Sequence, residues 1–157
     1  MNTLIFGQSA RLAALAASKI RCVGASGFGP CQAIGVATGP TPDDSLLAVV
    51  VYSDYHPEFG TCQISIASWS PLWAQRGVIR ALLGVPFDQY GVKKLWSMIE
   101  ADNTRAIKLN LGLGFKREAL LRHQFGAKRH AVLTAMMEPC YRQRWGRCAM
   151  PRVGSPV

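Results

Sequence analysis

The sequence predicts a single α+β domain, in which a central mixed, mostly antiparallel β-sheet is flanked by helices in the order β-α-β-β-β-α-β-α-β-β. Three features predict this class. Segments rich in β-branched residues follow one another between residues 31 and 69, separated by short turns. From Gln75 the apolar residues change to helical spacing. Strand and helix patterns then alternate until two final strands close the sheet.

A strand and a helix begin the chain. Thr3–Gly7 has the length and apolar character of a short strand, and Ala10–Ile20 has the apolar spacing of a short amphipathic helix. The second segment faintly resembles the core of a signal peptide, but no basic residue precedes Arg11. We therefore interpret it as a helix of the domain.

Three strands are predicted next: Cys31–Thr38, Leu46–Tyr55 and Thr61–Trp69. The turns between them are short, which indicates an antiparallel meander. In the third strand, the alternation of Cys62, Ile64 and Ile66 places these side chains on one face.

The second half of the chain alternates between helix and strand. A helix is predicted from Gln75 to Gly84, with Pro86 preventing its continuation, and Lys93–Glu100 is the next strand. Asp102 or Asn103 caps a second helix.

The second helix ends at Gly112 and Gly114. Ala119–Phe125 and His130–Met137 then flank a glycine-containing turn and indicate a closing hairpin.

Length and composition indicate one globular domain. The 157 residues are 49% hydrophobic and 17% charged, as in a packed domain. We expect residues 1–140 to form it. Residues 141–157 contain four arginines and no acidic residue, and we expect them to be a loosely ordered basic extension. No apolar run approaches the roughly 18 residues of a membrane-spanning helix, so no membrane association is expected.

The cysteines indicate a reduced, cytoplasmic protein. The five cysteines form no CxxC pair and are odd in number, which favours free thiols over disulfides or a zinc site. His123 and His130 lie close together in the sequence, but no second pair of ligands stands at zinc spacing, and no metal is expected.

Positive charge is concentrated in the second half of the chain. The whole chain has a net charge of +9, to which residues 1–70 contribute −1 and residues 71–157 contribute +10. Such a one-sided distribution suits an anionic partner, which is a phosphorylated cofactor, an acidic protein or a nucleic acid.

Two arginines and a glycine stand at the start of the helix that follows the third strand. They are Arg76, Gly77 and Arg80. A helix N-terminus offers unpaired N–H groups and partial positive charge, and glycine lets the backbone approach a ligand closely. Taken alone, this pattern indicates either a phosphate site or a solvated helix start.

This passage, ISIASWSPLWAQRGVIRALL, and a later one, IEADNTRAIKLNLGLGF, together resemble the GCN5-related N-acetyltransferase (GNAT) superfamily. The first is similar to that family's acyl-CoA signature, in which a strand leads into Q/R-x-x-G-x-G/A at a helix start. The second has the family's later strand, asparagine and helix, ending in Leu113, Gly114 and Phe115. KREALLR resembles the branch of ribosomal-protein N-terminal acetyltransferases and phage-encoded relatives. The resemblance covers roughly residues 30–137.

The resemblance implies a site for acetyl-CoA. The strand edge is expected to pair with the pantetheine arm, the helix start to hold the pyrophosphate, and an asparagine to contact the arm from the other side. The implied cofactor-binding residues are Ile66, Ala67, Ser68, Arg76, Gly77, Val78, Ile79, Arg80 and Asn103. Three positions depart from the family's pattern. Ala74 stands at the usual Gln/Arg position, Ile79 replaces a small loop residue, and Asn110 replaces the tyrosine that often protonates the departing thiolate.

Transfer of an acyl group to an amine needs a base, because a lysine amine has a pKa of about 10.4. The catalytic candidates are Glu58 and His56 in the turn HPEFG, and Glu100 at the end of the later strand. Glu58 is the first choice, because its turn is expected on the acceptor side.

The predicted function is therefore an acetyl-CoA-dependent N-acetyltransferase. It would move an acetyl group to an amine of a protein or small molecule by direct attack in a ternary complex. The alternative is a catalytically inactive protein of the same fold that binds an acidic or nucleic-acid partner, and Asn110 keeps this alternative open. The sequence does not identify the acceptor, and it leaves homodimerisation open.

Overall fold

The computed structural model describes residues 2–39 and 46–146, and there the expected order of strands and helices is confirmed. The strands are β1 (Asn2–Ile5), β2 (Cys31–Thr38), β3 (Leu46–His56), β4 (Thr61–Ser68), β5 (Lys94–Glu100), β6 (Lys116–Leu121) and β7 (Ala131–Met137). The α-helices are α1 (Ser9–Lys19), α2 (Arg76–Gly84), α3 (Thr104–Leu113) and α4 (Glu138–Arg144). A 3₁₀ turn, Pro71–Trp73, precedes α2.

The strands form one seven-stranded sheet in the order β1-β2-β3-β4-β5-β7-β6. The meander expected for β2, β3 and β4 is confirmed, and so is the closing hairpin of β6 and β7. Of the pairs in the described residues, β4 and β5 are the parallel one. A parallel pair needs a crossover connection, which α2 provides here.

The pairing of β4 with β5 stops partway along both strands. It joins Thr61–Gln63 to Lys94–Trp96 and goes no further. Beyond this point β4 stays paired with β3 as far as Ser68, and β5 stays paired with β7 as far as Glu100. The two halves of the sheet therefore separate and leave a wedge-shaped opening between β4 and β5.

The sheet buries apolar side chains on both faces. The larger core lies under α2 and contains Cys62 and Ile64, with Ile66 packed at its edge, so the face expected for this strand is confirmed. On the opposite face, Leu12 and Ala16 of α1 pack against β3 and neighbouring strands.

The end of α2 differs from the expected stop. The helix leaves α geometry at Gly84, but the chain continues directly into a π-helical turn, Val85–Gln89, with Pro86 near its start. Proline has no N–H to donate to the carbonyl of Leu82 four residues earlier, and this carbonyl accepts a hydrogen bond from the hydroxyl of Tyr52 at 2.7 Å instead. This turn buries Phe87 in the larger core.

The expected start of a loose extension at Tyr141 is wrong. Residues 138–144 form α4, and both Tyr141 and Trp145 are buried in the larger core. The apolar residues four positions apart give α4 a buried face, which docks it on the domain. Arg147 and Arg152 of the expected extension lie outside the described residues.

Among the described residues, no helix is both long and apolar enough to cross a membrane. Cys22, Cys31, Cys62 and Cys140 have free thiols, and Cys148 lies outside the described part of the chain.

Candidate functional site

A cleft of about 1170 Å³ fills the opening between β4 and β5. One wall is the end of β4, from Ser65 to Ser68, and the other is the end of β5, from Ser97 to Glu100. The expected cofactor residues Ile66, Ala67, Ser68, Ile79 and Asn103 all line this cleft.

The end of β4 presents an unpaired backbone edge to the cleft. On one side, Ile66, Ala67 and Ser68 pair with Val50, Val49 and Ala48 of β3. On the other side, no strand in the described part of the chain pairs with them, because β5 has already turned away. Free N–H and C=O groups on such an edge can hydrogen-bond an extended ligand as if it were another strand.

The first turn of α2 reaches the cleft wall through Ile79 and lacks a side-chain cap. Gln75 occupies the N-cap position without making a capping hydrogen bond. The N–H groups of Arg76, Gly77 and Val78 belong to the first helical turn and have no acceptor within the helix. A Cβ added at Gly77 would meet no atom within 4 Å, so the space in front of this backbone is open. The helix start is therefore suited to an anion.

Residues 76–80, the helix start that is expected to hold the pyrophosphate, are not equivalent in the structure. Ile79 lines the cleft with a side chain that is turned into the core, and its N–H already donates to the carbonyl of Gln75 at 2.9 Å. Arg76, Gly77, Val78 and Arg80 do not line the cleft wall. Ile79 therefore contributes apolar surface, while the open N–H groups belong to the three residues before it.

Asn103 has a structural role in addition to its place on the cleft wall. Its Oδ1 accepts a hydrogen bond from the N–H of Ala106 at 3.2 Å and so caps α3. This selects Asn103 over Asp102 as the cap. The amide nitrogen of Asn103 remains a donor that a ligand in the cleft can use.

Glu100 is the one expected catalytic residue that lies in the cleft. It ends β5 and is only 7% exposed. Its carboxylate is paired with Arg129 from the β6–β7 loop, and Arg21, which follows α1, lies 3.9 Å away. Two loops from opposite ends of the fold thus converge on one buried carboxylate. The thiol of Cys22 is near Glu100. Its burial, and then the negative charge of Glu100, raise the pKa of this thiol.

The other two expected catalytic residues, Glu58 and His56, do not line the cleft. Both are outside the cleft, in or beside the β3–β4 turn. This turn precedes Thr61, which pairs with Lys94, so it lies where β4 and β5 are still joined rather than where they part. A backbone N–H hydrogen bond, and then His56, lower the pKa of the Glu58 carboxyl, which makes it a weaker base.

His56 is expected to stabilise the fold at acidic pH and to lose this contribution as the pH rises. Hydrogen bonds to Asp54 at 2.9 Å and to Glu58 at 3.2 Å raise the pKa of His56 above 6.5. Its contribution is therefore complete below the unfolded pKa and disappears as the pH passes the folded one. Melting temperatures of the wild type and His56→Gln, compared at about pH 5.5 and about pH 8.5, measure it. A gap that widens towards the higher pH would contradict the prediction.

Asn110 is buried on α3 and lines the inner part of the cleft. Its Nδ2 donates to Oγ1 of Thr134 in β7 at 3.2 Å. An amide can donate this hydrogen bond, but it cannot supply a proton at neutral pH.

The sequence-based expectations missed Arg144 and Trp145, which also line the cleft. The signal was present in EPCYRQRW, where a proline at a helix start precedes two aromatic residues four positions apart. The arginines of this segment instead favoured the prediction of a loosely ordered extension over that of a docked helix.

In the described residues, no three His, Cys, Asp or Glu side chains are grouped as a metal would need.

No model of a known protein family matches the chain, and a search of curated proteins finds no match. Solved structures do match. A mutant of spermidine N-acetyltransferase SpeG from Vibrio cholerae superposes with a TM-score of 0.72 at 15% identity, over 91% of this chain and 97% of that one. The ribosomal-protein-S5-alanine acetyltransferase from Vibrio fischeri superposes with a TM-score of 0.58 at 15% identity, over 69% of this chain and 62% of that one.

Both matches are to acetyltransferases. Because the sequence identity is only 15%, they establish the fold alone. The chain has the fold of the GCN5-related N-acetyltransferase superfamily.

Proposed function

We propose that this protein is an acetyl-CoA-dependent N-acetyltransferase. The observation that carries the proposal is the parting of β4 from β5 immediately beyond Gln63 and Trp96. It opens a cleft through the sheet, with a free strand edge on one wall and an uncapped helix start beside it. The acetyltransferases of the same fold support this assignment.

The residues present fit coenzyme A. The backbone of Ile66, Ala67 and Ser68 would hydrogen-bond the amides of the pantetheine arm, and the first turn of α2 would hold phosphate. The open space in front of Gly77 is consistent with close approach of a ligand to this backbone. When bound, acetyl-CoA would supply an acetyl thioester: its carbonyl carbon would bond to the acceptor nitrogen, its carbon–sulfur bond would break, and coenzyme A would leave as the thiolate.

Glu100 is the proposed base for the acceptor amine. An ammonium group must lose a proton before its nitrogen can attack, and a carboxylate in the cleft can accept that proton directly or through one water. Glu100 is the buried carboxylate on the cleft wall, and Arg129 holds it in place. Asp102 also borders the cleft, but its side chain is exposed.

The charge around Glu100 bears on the acceptor. Lys19 and Arg21 line the cleft, and Arg129 lies beside Glu100. A polyamine would bring several positive charges against these cations, whereas the N-terminus or a lysine of a protein brings one. We therefore place a protein or peptide amine ahead of a polyamine as the acceptor.

The environment of Asn110 favours a second function, namely binding without turnover. Asn110 occupies the position where the resemblance implies a tyrosine acid, and its amide is already bonded to Thr134. A protein of this kind would use the fold to bind an acidic or nucleic-acid partner.

Acetyl-CoA at about a hundred times its Kd is expected to raise the melting temperature by roughly 5–10 °C, because it binds only the folded state. Release of free thiol on addition of an amine then tests for turnover, with spermidine and peptides bearing a free N-terminus or lysine as acceptors. Absence of any thermal shift at millimolar acetyl-CoA would reject the cofactor. A shift without thiol release from any acceptor, together with salt-sensitive retention on DNA, would instead support the binding protein.

A further inference from the structure

Helix α4 packs against the π-helical turn that follows α2 and against the end of α3. The ring of Tyr141 stacks on Phe87 with centroids 4.5 Å apart, and its hydroxyl donates to Oδ2 of Asp88 at 2.6 Å. The indole Nε1 of Trp145 donates to the carbonyl of Leu113 at 2.7 Å. These contacts fix the end of α4 beside the last turn of α3.

Two guanidinium groups meet at Trp145. The Cζ atom of Arg76, the first residue of α2, lies 4.9 Å from the centre of the indole, and that of Arg144 lies 6.0 Å from it. Nη2 of Arg76 donates to the backbone carbonyl of Arg144 at 3.3 Å, and Arg144 itself donates to the carbonyl of Gly112. Each guanidinium has five N–H donors, so most donors of both remain for a ligand.

These two arginines have no acidic partner among the described residues, unlike others of the same region. Arg142, two positions before Arg144 on the same helix, is paired with Asp88 and Glu138. Arg129 is paired with Glu100. Two like charges held on one aromatic ring without a carboxylate repel each other. An anion between them would remove that repulsion.

The pair is also placed at the cofactor cleft. Arg144 and Trp145 line the same cleft as the open edge of β4, and Arg76 begins the helix whose first N–H groups are open. Arg80, the second arginine expected at the helix start, lies one helical turn further along α2, and among the described residues it is Arg76 rather than Arg80 that contacts the ring of Trp145. The second cation at the helix start therefore comes from α4 rather than from α2.

We infer that Arg144 and Arg76 together bind the phosphate groups of coenzyme A at the edge of the cleft, with both guanidinium groups held on Trp145, which lines it. This inference rests on the proposed function, since it concerns the ligand of that same site. It makes α4 part of the cofactor site and assigns to Arg144 the place that the sequence suggested for Arg80.

Binding of coenzyme A and of pantetheine, which lacks all phosphates, tests the inference by calorimetry. Arg144→Gln is expected to weaken coenzyme A binding roughly tenfold, because an ionic hydrogen bond is lost, and to leave pantetheine binding within about twofold. It should also make coenzyme A binding less sensitive to salt. Arg144→Lys, which keeps the charge, should recover part of the loss. Arg80→Gln should weaken binding less than Arg144→Gln.

Arg142→Gln is the matched control. It removes a cation from the same helix together with its exposed ion pairs to Asp88 and Glu138, so it should lower the melting temperature only slightly. Glu138 keeps its ion pair with Lys93, and Asp88 keeps its hydrogen bond from Tyr141. The variant should leave coenzyme A binding within about twofold. A loss in Arg144→Gln no larger than in this control, or an equal loss for pantetheine, would overturn the inference. If the wild type binds coenzyme A through Arg144 but releases no thiol, the inference stands and the enzymatic proposal fails. If the wild type binds no coenzyme A, both fail.

Discussion

Replacing Glu100 by glutamine is expected to slow acetyl transfer by about a hundredfold or more, the usual contribution of a positioned general base. Glutamine keeps the size of the side chain but cannot accept the proton of the acceptor ammonium. Glu100 lies on the cleft wall, buried and held by Arg129, so the loss should appear in kcat. The affinity for acetyl-CoA should change little. Thiol release at saturating acetyl-CoA, combined with calorimetry, measures both quantities.

Two comparisons separate a base from a merely structural carboxylate. Asp102→Asn removes an exposed carboxylate from the same rim of the cleft and should leave the rate almost unchanged. A full rate in Glu100→Gln together with a large loss in Glu58→Gln would show instead that the turn beside β4 supplies the base.

Replacing Tyr141 by alanine is expected to lower the free energy of unfolding by about 3–5 kcal/mol. The ring is 2% exposed and is stacked on Phe87, so its removal leaves a cavity under α4. The hydroxyl contributes less than the ring, since it forms one hydrogen bond to Asp88. Urea unfolding followed by circular dichroism measures the change.

Tyr141→Phe is the control for the ring. It keeps the stacking and loses the hydrogen bond, so it should cost about 1 kcal/mol. Burial, and then the hydrogen bond to Asp88, raise the pKa of Tyr141 to about 12, so the phenol should stay un-ionised in absorbance titrations up to about pH 11. A cost below 1 kcal/mol for Tyr141→Ala would show that α4 is not part of the cooperative domain.

Much of the fold could be predicted because the signals that specify it are short-range. Alternation in Thr61–Ser68 and the β-branched run in β3 identify strands within single windows of the chain. Asn103 caps α3 through a contact three residues away. The position of Ile66–Ser68 at the end of a strand before the helix start was predicted in the same way, and these residues line the cleft.

The position of the catalytic candidates relative to the cleft could not be predicted from the neighbouring sequence. Glu58 and Glu100 are both carboxylates next to a strand end, and nothing in their neighbouring sequence distinguishes them. The distinction depends on which end of β4 remains joined to β5, and that depends on pairing between Thr61–Gln63 and Lys94–Trp96. Burial of Glu100 depends in turn on Arg129, 29 residues further along the chain.

The sequence by itself determined the class of fold, the order of its elements and the place of the helix start at Arg76, because each is set by periodicity and by contacts within a few residues. Only the tertiary structure decided that Glu100 rather than Glu58 faces the cleft, and that Arg144 rather than Arg80 accompanies Arg76. Both depend on contacts between segments far apart in the chain, such as Trp145 with Leu113, 32 residues away. The arginines of residues 141–157 predicted a loosely ordered extension, whereas the buried aromatic face of α4 places Arg144 at the cleft.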